Sequence, residues 1–370
     1  MNPLRCAINK IRHARNERWK RGQILRERAH ETLLIQKNVV GGGKKLEDGE
    51  KHQILELWGA IATPRDWGEY EIFKRLKGFD ARYLSHELYL PLIARRLNDY
   101  HYSKLFEDKS LLGRLGIGVL RFPYCYVRCI NGEYYDDDLH QISDQQVINI
   151  CATQDELIWK PSRNSSGGRG IERLCLKGKQ HEEREEAIKR LLTPEHRNFV
   201  IQQRIHQHPS MAVFNETSIN TLRMTTLYLN GLATCVNLCL RIGRMGAFVD
   251  NFGAGGCIVG VHPDGSLYEC GYLQDGADLK CFNGINFQEQ RLEFIPALTD
   301  QILEEHKNRF SLCKFIGWDV CIAADGKPVV IEVNTSQPGL FGEQLCCGPI
   351  FGDRTEEVIN YINKKNFQYD

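Results

Sequence analysis

Long apolar runs are missing from this 370-residue sequence. No stretch of about 18 or more apolar residues occurs, which excludes a hydrophobic helix able to cross a bilayer. A surplus of either charge is missing too: 48 Lys and Arg stand against 47 Asp and Glu, so no overall basic surface points to nucleic acid. Cysteine is plentiful at 14 residues, but the C-x-x-C spacing of zinc knuckles and redox motifs is absent. The nearest pairs are Cys125/Cys129, Cys235/Cys239 and the adjacent Cys346-Cys347. Most cysteines sit in apolar runs, such as Ala233-Thr234-Cys235-Val236, and are expected to pack as small buried hydrophobes. Internal repeats and low-complexity segments are absent. The first apolar cluster (Leu4, Ile8, Ile11) is broken by Asn9, Lys10 and Arg12, so a secretory leader is not expected. A cytoplasmic protein with reduced thiols follows as the expectation. With 42% hydrophobic and 26% charged residues, the composition excludes disorder, collagen and coiled coil for the whole chain. At roughly 100–200 residues per domain the length suits two or three units.

What is present is unevenly spread. Residues 1–50 hold 12 Lys and Arg against 6 Asp and Glu, leaving 36 against 41 elsewhere. Arg12, Arg15, Arg18, Lys20, Arg21, Arg26 and Arg28 read as a helix with a wide cationic face, ending before Gly41-Gly42-Gly43. Such a helix can rest on anionic lipid at the inner face of a membrane, or be a solvated surface. Residues 52–107 also read as helical, with Ile54, Leu57, Trp58 and Ile61 at helical spacing and a boundary expected near Pro91. No strand run precedes residue 117. A hairpin is then predicted around Asn131-Gly132, and strands dominate from there. They are expected over 157–161, 171–176, 199–203, 221–229, 233–240, 257–261, 315–322 and 329–333, with helices over 182–192 and 296–310.

The most informative stretch runs from Phe315 to Asn334. Asp325-Gly326 between two apolar runs predicts a two-residue hairpin turn. Pairing Ala324 with Lys327 and continuing down the ladder sets Asp319 directly opposite Glu332, with Asn334 on the same face. Like charges so placed are destabilising unless something neutralises them. A hard cation does so, and two carboxylates with an amide oxygen suit Mg²⁺ better than zinc. The alternative is a solvated strand whose acids merely align. The apolar neighbours Ile316, Trp318, Val320, Ile331 and Val333 argue for burial, where bare acids are costly.

A second pattern places Lys160 on a strand, then Ser165-Ser166-Gly167-Gly168-Arg169-Gly170, then another strand. Glycine backbone can approach a phosphate closely and offer N–H groups, the serines add hydroxyls, and the lysine adds a point charge. A strand rather than a helix follows, so this is not the P-loop arrangement. An ordinary glycine turn is the alternative.

Taken together, a lysine-bearing strand, this Ser/Gly loop and a closing D-x₁₂-E-x-N hairpin resemble the ATP-grasp superfamily. Phe106-Glu107-Asp108-Lys109-Ser110 resembles its phosphate-reaching lysine segment, and Gln203, Arg204 and Ile205 resemble the hinge that reads adenine. The segments from Asn220 to Thr226, from Leu240 to Arg244 and from Val249 to Gly256 are similar to the sugar-transfer-associated branch, which is linked to surface polysaccharide assembly. The resemblance covers about residues 105–350. It implies an α+β ATP-grasp fold of two subdomains clasping ATP, at 106–205 and 206–370, behind a helical region at 1–105.

It also implies chemistry: ATP phosphorylates a carboxylate and an amine then attacks the acyl phosphate. Asp319, Glu332 and Asn334 would hold Mg²⁺, and Lys109 and Lys160 the phosphates, with Gly167, Gly168 and Gly170 folded over them. Arg223 and Arg241 are the catalytic candidates, and Arg244 and Asn251 the substrate-binding ones. The implied partners are a small-molecule, glycan or peptide carboxylate acceptor and an amine donor. A two-residue turn at Asn230-Gly231 would send Arg223 and Arg241 to opposite faces, while a three-residue loop would bring them together. Phosphoryl transfer to a hydroxyl, or a nucleotide-binding adaptor anchored by the basic helix, are the alternative functions. Two departures stand out. The first hundred residues read as helix where many relatives carry a Rossmann-like domain, and Gln202-Gln203 stands where a glutamate is common, leaving His208 as the candidate ribose contact.

Overall fold

Turn chemistry sets the strand pairing. Asn131-Gly132 and Asn230-Gly231 each adopt two successive left-handed residues, with φ of 55° and 94° in the first and 52° and 82° in the second. Asparagine and glycine tolerate that geometry, and it matches the twist of a two-residue hairpin. The computed structural model describes residues 35–115, 118, 120–163, 168 and 170–364. The basic lead segment through Arg28, and Ser165, Ser166 and Gly167, lie outside the described residues.

The first sheet has the order β3-β2-β1-β6-β4-β5. Its strands are β1 (Cys125–Ile130), β2 (Glu133–Tyr135), β3 (Gln141–Ile142), β4 (Glu156–Pro161), β5 (Glu172–Cys175) and β6 (Asn198–Gln203). The helices Asp144–Ala152 and His181–Lys189 pack on it. The former begins at a Ser143/Gln146 capping box that the sequence reading passed over.

In the second sheet come β7 (Thr221–Leu229), β8 (Leu232–Ile242), β9 (Cys257–Val261), β10 (Leu267–Tyr272) and β11 (Asp278–Leu279). A small ribbon of β12 (Cys281–Phe282) and β13 (Ile285–Asn286) precedes β14 (Phe315–Ile322) and β15 (Pro328–Asn334), which complete the order β11-β10-β9-β8-β7-β14-β15. All pairings described are antiparallel ladders.

Two expectations about register need correction. The β14–β15 turn is not Asp325-Gly326 alone: Ala323 donates to Lys327 O at 2.9 Å, so Ala324, Asp325 and Gly326 form a three-residue loop. Pairing near the turn is therefore shifted by one. An irregularity around Ile331 restores it, so that Asp319 does face Glu332. The β7–β8 turn is the two-residue form, yet a bulge at Val236 moves Arg223 opposite Cys239 and Arg241 opposite Thr221. The two arginines thus share a face without any three-residue loop.

Before β1 the described chain is helical, with helices Asp48–Trp58, Gly68–Lys77, Tyr100–Glu107 and Lys109–Leu115. The expected break at Pro91 does not occur. Helix runs from His86 to Leu97, and Pro91 sits inside a wide π turn, Tyr89–Ala94. Opening the turn relieves the ring's clash with the preceding carbonyl and accommodates the missing N–H. This region shares a core with the second sheet, where Trp58, Phe73 and Tyr89 pack with Phe315 and Phe351. Asn98 staples it in place: its amide donates to Phe315 O (2.5 Å) and Thr335 O (2.6 Å) and accepts from Lys314 N (2.7 Å) and Phe315 N (3.0 Å). Among the described residues, no helix is long and apolar enough to cross a membrane. Of the described cysteines only Cys175 and Cys281 are exposed, as the packing expectation requires.

The opposite face of the second sheet is covered by helix Ile295–Asn308. There, buried Trp318 donates to Thr226 Oγ1 (2.8 Å), which in turn meets His306 Nδ1 (2.7 Å), while His306 Nε2 reaches Cys313 O (2.9 Å). Thr226 accepts from the indole and so donates to Nδ1, leaving Nε2–H for the carbonyl. The neutral imidazole is fully satisfied, and burial pushes its pKa down to about 4. Unfolded histidine titrates near 6.5. The native state therefore binds fewer protons between those values, and stability falls as pH drops from about 6.5 toward 4, by on the order of 3 kcal/mol. Urea unfolding across that range should show this slope, and His306→Gln should flatten it; an unchanged slope in the variant would remove the assignment.

Candidate functional site

Successive residues of a strand point to opposite faces, so Trp318 and Val320 enter the apolar core while Gly317, Asp319 and Cys321 face the other way. On that face a row of side chains crosses the sheet. Arg223 on β7 stands opposite Asp319 on β14, and Asp319 opposite Glu332 on β15. The row borders a cavity of about 990 Å³ between the two sheets.

The carboxylates have taken cationic partners from the protein. Arg223 grips Asp319 with two nitrogens, Nε to Oδ1 at 2.5 Å and Nη2 to Oδ2 at 3.0 Å. Arg241 approaches the same carboxylate at 3.5 Å, and Asn334 Nδ2 donates to it at 3.2 Å. Burial alone would push the Asp319 carboxyl up, but Arg223 and Arg241 beside it hold it below its usual value. Glu332 meets Lys109 Nζ at 3.2 Å.

Lys109 is delivered by the start of its helix, whose first N–H donates to Ser162 O at the end of β4. Lys160 on β4 is 5% exposed and has no ion-pair partner among the described residues. Desolvation, helped by neighbouring Lys109, pulls its pKa down to about 8. Gly168 and Gly170 have φ of 73° and 72°, which side-chain-bearing residues rarely adopt. A Cβ on Gly168 would lie 3.0 Å from Val249, so this end of the loop closes against the second sheet's side of the cavity.

The hinge segment crosses between the sheets. Gln203 ends β6 and donates from its backbone to Tyr124 O (2.9 Å), and Arg204 is ion-paired to Glu156. Buried Ile205 packs with Cys321 and Val329. Ala324 then donates to His206 O (2.7 Å), fastening the hinge to the β14–β15 loop.

Of the residues expected from sequence, Lys109, Lys160, Gly168, Gln203, Arg204, Ile205, Arg223, Arg241, Asn251, Asp319, Glu332 and Asn334 border this one cavity. Arg244 does not: it is exposed, two residues beyond the end of β8. His208 is also outside the cavity lining; it caps the short turn Pro209–Ala212. Asn251 lines the wall and accepts from Gly253 N at 3.1 Å. Sequence reasoning missed Glu343 and Asp250. Glu343 is buried on helix Phe341–Cys347, 3.4 Å from Arg223, and no local pattern announces it. Asp250 accepts from Thr221 and lies 3.8 Å from Arg241, and its place beside Asn251 was the available signal.

By residue type the donor set fits a hard divalent cation: two carboxylates and the Asn334 amide, all from one face of a hairpin, with Asn334 Nδ2 toward Asp319, so that its oxygen would have to turn toward an ion. Three protein oxygens leave coordination positions for water and phosphate, as Mg²⁺ prefers. Arg241 Nε is buried without a hydrogen-bond acceptor among the described residues, beside the same carboxylate. A donor left bare in this way is costly and suits an incoming anion.

The family model described as sugar-transfer associated ATP-grasp matches residues 92–360. Similar solved structures include an L-amino acid ligase from Bacillus licheniformis (15% identity, TM-score 0.37, covering 71% of this chain and 48% of the other). A D-alanyl-alanine synthetase A from Vibrio cholerae aligns at 13% identity and TM-score 0.41 over 70% of this chain and 64% of its own. A D-Ala:D-Ser ligase from Enterococcus faecalis aligns at 14% and 0.42 over 70% and 63%. The chain spans less than two thirds of the length of each. No curated protein matches the sequence.

The ion-pair geometry makes a stability prediction. Asp319→Asn leaves the buried Arg223 guanidinium with Glu343 at 3.4 Å as its one carboxylate and Pro338 O at 3.2 Å as a neutral acceptor among the described residues, and should cost about 3–5 kcal/mol in urea unfolding. Glu332 is 27% exposed at the cavity, so Glu332→Gln should cost less, about 1–2 kcal/mol. Equal losses would show that the Arg223–Asp319 pair does not hold this part of the sheet.

Proposed function

The chain belongs to the sugar-transfer associated ATP-grasp family, and on that premise we propose that it is an ATP-dependent carboxylate–amine ligase. Its setting would be the assembly of a surface polysaccharide or a related glycoconjugate or peptide. The observation that carries the reading is the row of arginines and carboxylates on one face of the second sheet, bordering one cavity with two lysines, one of them 3.2 Å from Glu332.

ATP and Mg²⁺ are the cofactors of this reading, the ion supplying charge neutralisation for the phosphates. Asp319, Glu332 and Asn334 would hold it. Lys109 and Lys160 would bind phosphate oxygens, and the hinge from Gln203 to Ile205 the adenine. The γ-phosphoryl group passes to an oxygen of the acceptor carboxylate as its bond to ADP breaks. The amine nitrogen then bonds to the acyl carbon, phosphate leaves, and the nitrogen gives up a proton. Arg241, with an unmet donor, and Arg223 would steady the transferred group, since guanidinium binds phosphate and carboxylate through two parallel hydrogen bonds.

Two tests follow. Glu332→Gln should abolish acceptor-dependent ADP release while circular dichroism stays unchanged; wild-type turnover in that variant would sink the assignment. In that same assay the wild-type products should be an amide and free phosphate by mass spectrometry, and a stable phosphoester would indicate transfer to a hydroxyl instead. The second test uses Lys160, whose pKa is pulled down to about 8. Below that pH it is charged and ready for phosphate. Above it, binding must first take up a proton, so affinity for a non-hydrolysable ATP analogue should weaken by up to about tenfold per pH unit. Calorimetric titration of Lys160→Met should lose that dependence.

A further inference from the structure

A second, smaller cavity of about 170 Å³ opens beside the first. Its walls come from the N-terminal helical region (Arg95, Asn98, Tyr100, Lys104) and from the segment that follows Asn334 (Ser336, Gln337). Tyr100, Lys104, Ser336 and Gln337 border both cavities, so the small one is a side chamber of the large one. We infer that this chamber binds an anionic group, a carboxylate or a phosphate, on the acceptor that the ligase reading requires.

Charge is the first reason. Arg95 and Lys104 line the chamber and no acidic residue does. Arg95 has no ion-pair partner among the described residues, and its guanidinium can meet either anion through paired hydrogen bonds. Lys104 is the weaker of the two, because it is ion-paired at 3.0 Å with the Glu107 carboxylate. That carboxylate accepts from Thr335 N (3.0 Å), Ser336 N (2.6 Å) and Ser336 Oγ (2.9 Å), so it serves as a backbone anchor. Cations in a concave wall focus their field on the space they enclose.

Position and rigidity are the second reason. Thr335 to Gln337 continue directly from the β15 end that carries Glu332 and Asn334. A molecule held in the chamber by its anionic end can therefore extend toward the phosphate end of the large cavity. The wall is fixed: Asn98 holds Thr335 O at 2.6 Å, and Thr335 Oγ1 donates to Ser103 O at 3.0 Å. A rigid wall spares the ordering cost of binding. The helical region, by this account, selects the acceptor.

The test uses the full chain with Mg²⁺ and a non-hydrolysable ATP analogue, titrated by calorimetry with three probes. Glucuronate carries a carboxylate, glucose 6-phosphate a phosphate, and glucose neither. At least one acidic sugar should bind about tenfold more tightly than glucose or better, and which one does so separates the two anions. Arg95→Ala should weaken that probe about tenfold, Arg95→Lys should restore part of it, and nucleotide affinity should stay at the wild-type value. Glucose binding as well as the acids, an Arg95→Ala variant that binds like wild type, or no binding of either acid would overturn the inference. Failure of the ligase reading has a separate signature: a phosphoester product, or no acceptor-dependent ADP release, while the acidic probe still binds through Arg95.

Discussion

Charges withdrawn from water must be paired, and the site is organised around that demand. Asp319 lies in a strand buried along its whole length, and Arg223 stands beside it on the next strand. Neither could be placed there alone: an isolated carboxylate would protonate and an isolated guanidinium would carry its full desolvation cost. The pair requires that two strands far apart in sequence meet in one register. That register in turn depends on bulges. One at Val236 puts Arg241 on the same face as Arg223, and one near Ile331 brings Glu332 opposite Asp319 after an odd-length loop. Each bulge inserts one residue where a regular ladder would have turned a charge into the apolar layer around Trp318 and Phe310.

The same logic explains why the helical region is part of the body that holds the site and not an appendage. Beyond Asn334 the chain leaves the sheet with unpaired backbone groups at Thr335 and Ser336. Glu107 and Asn98 satisfy them from the helical side, and Asn98 at once ties down Lys314 and Phe315 at the start of β14. Both edges of the carboxylate hairpin are therefore held by residues between 98 and 107. A change in that region alters the site's position through hydrogen bonds, without any contact to the carboxylates themselves.

How much of this was legible follows from how local each signal is. Hairpins at Asn131-Gly132 and Asn230-Gly231 were readable because the turn residues carry their own conformational preference. Five strands of the second sheet were readable from apolar runs while β10 and β11 were not; the facing of Asp319 and Glu332 came from hairpin register, Lys160 from its place before the Ser/Gly loop, and Lys109 only from the family resemblance. Bulges were not readable, because they answer to packing against a strand elsewhere. The face shared by Arg223 and Arg241 and the turn around Asp325 were accordingly misread or left open. Glu343 was invisible for the same reason: a glutamate on a short helix has no mark that it is buried until Arg223 is placed beside it. Pro91 misled in the other direction, since a local helix-breaking signal was overridden by the burial of Leu88, Tyr89, Leu90 and Ile93 around it.

The pairing also bears on how such a site can take up charged ligands. Arg223 pairs with Asp319 and Lys109 with Glu332, so neither carboxylate faces a bare like charge. The proposed reaction asks those carboxylates to hold a cation and those basic groups to hold phosphate. Each internal ion pair is then exchanged for an external one of the same sign pattern, and no buried charge is uncovered in either state. Arg241 and Lys160 are not fully matched by the protein's own described groups, one with a buried unpaired nitrogen and the other with a depressed pKa. Binding free energy can be gained at those two positions, while the exchanged pairs contribute near balance. A site built this way discriminates less by total charge than by where the anion sits, because a phosphate placed away from Arg241 and Lys160 leaves both unmet groups as they were.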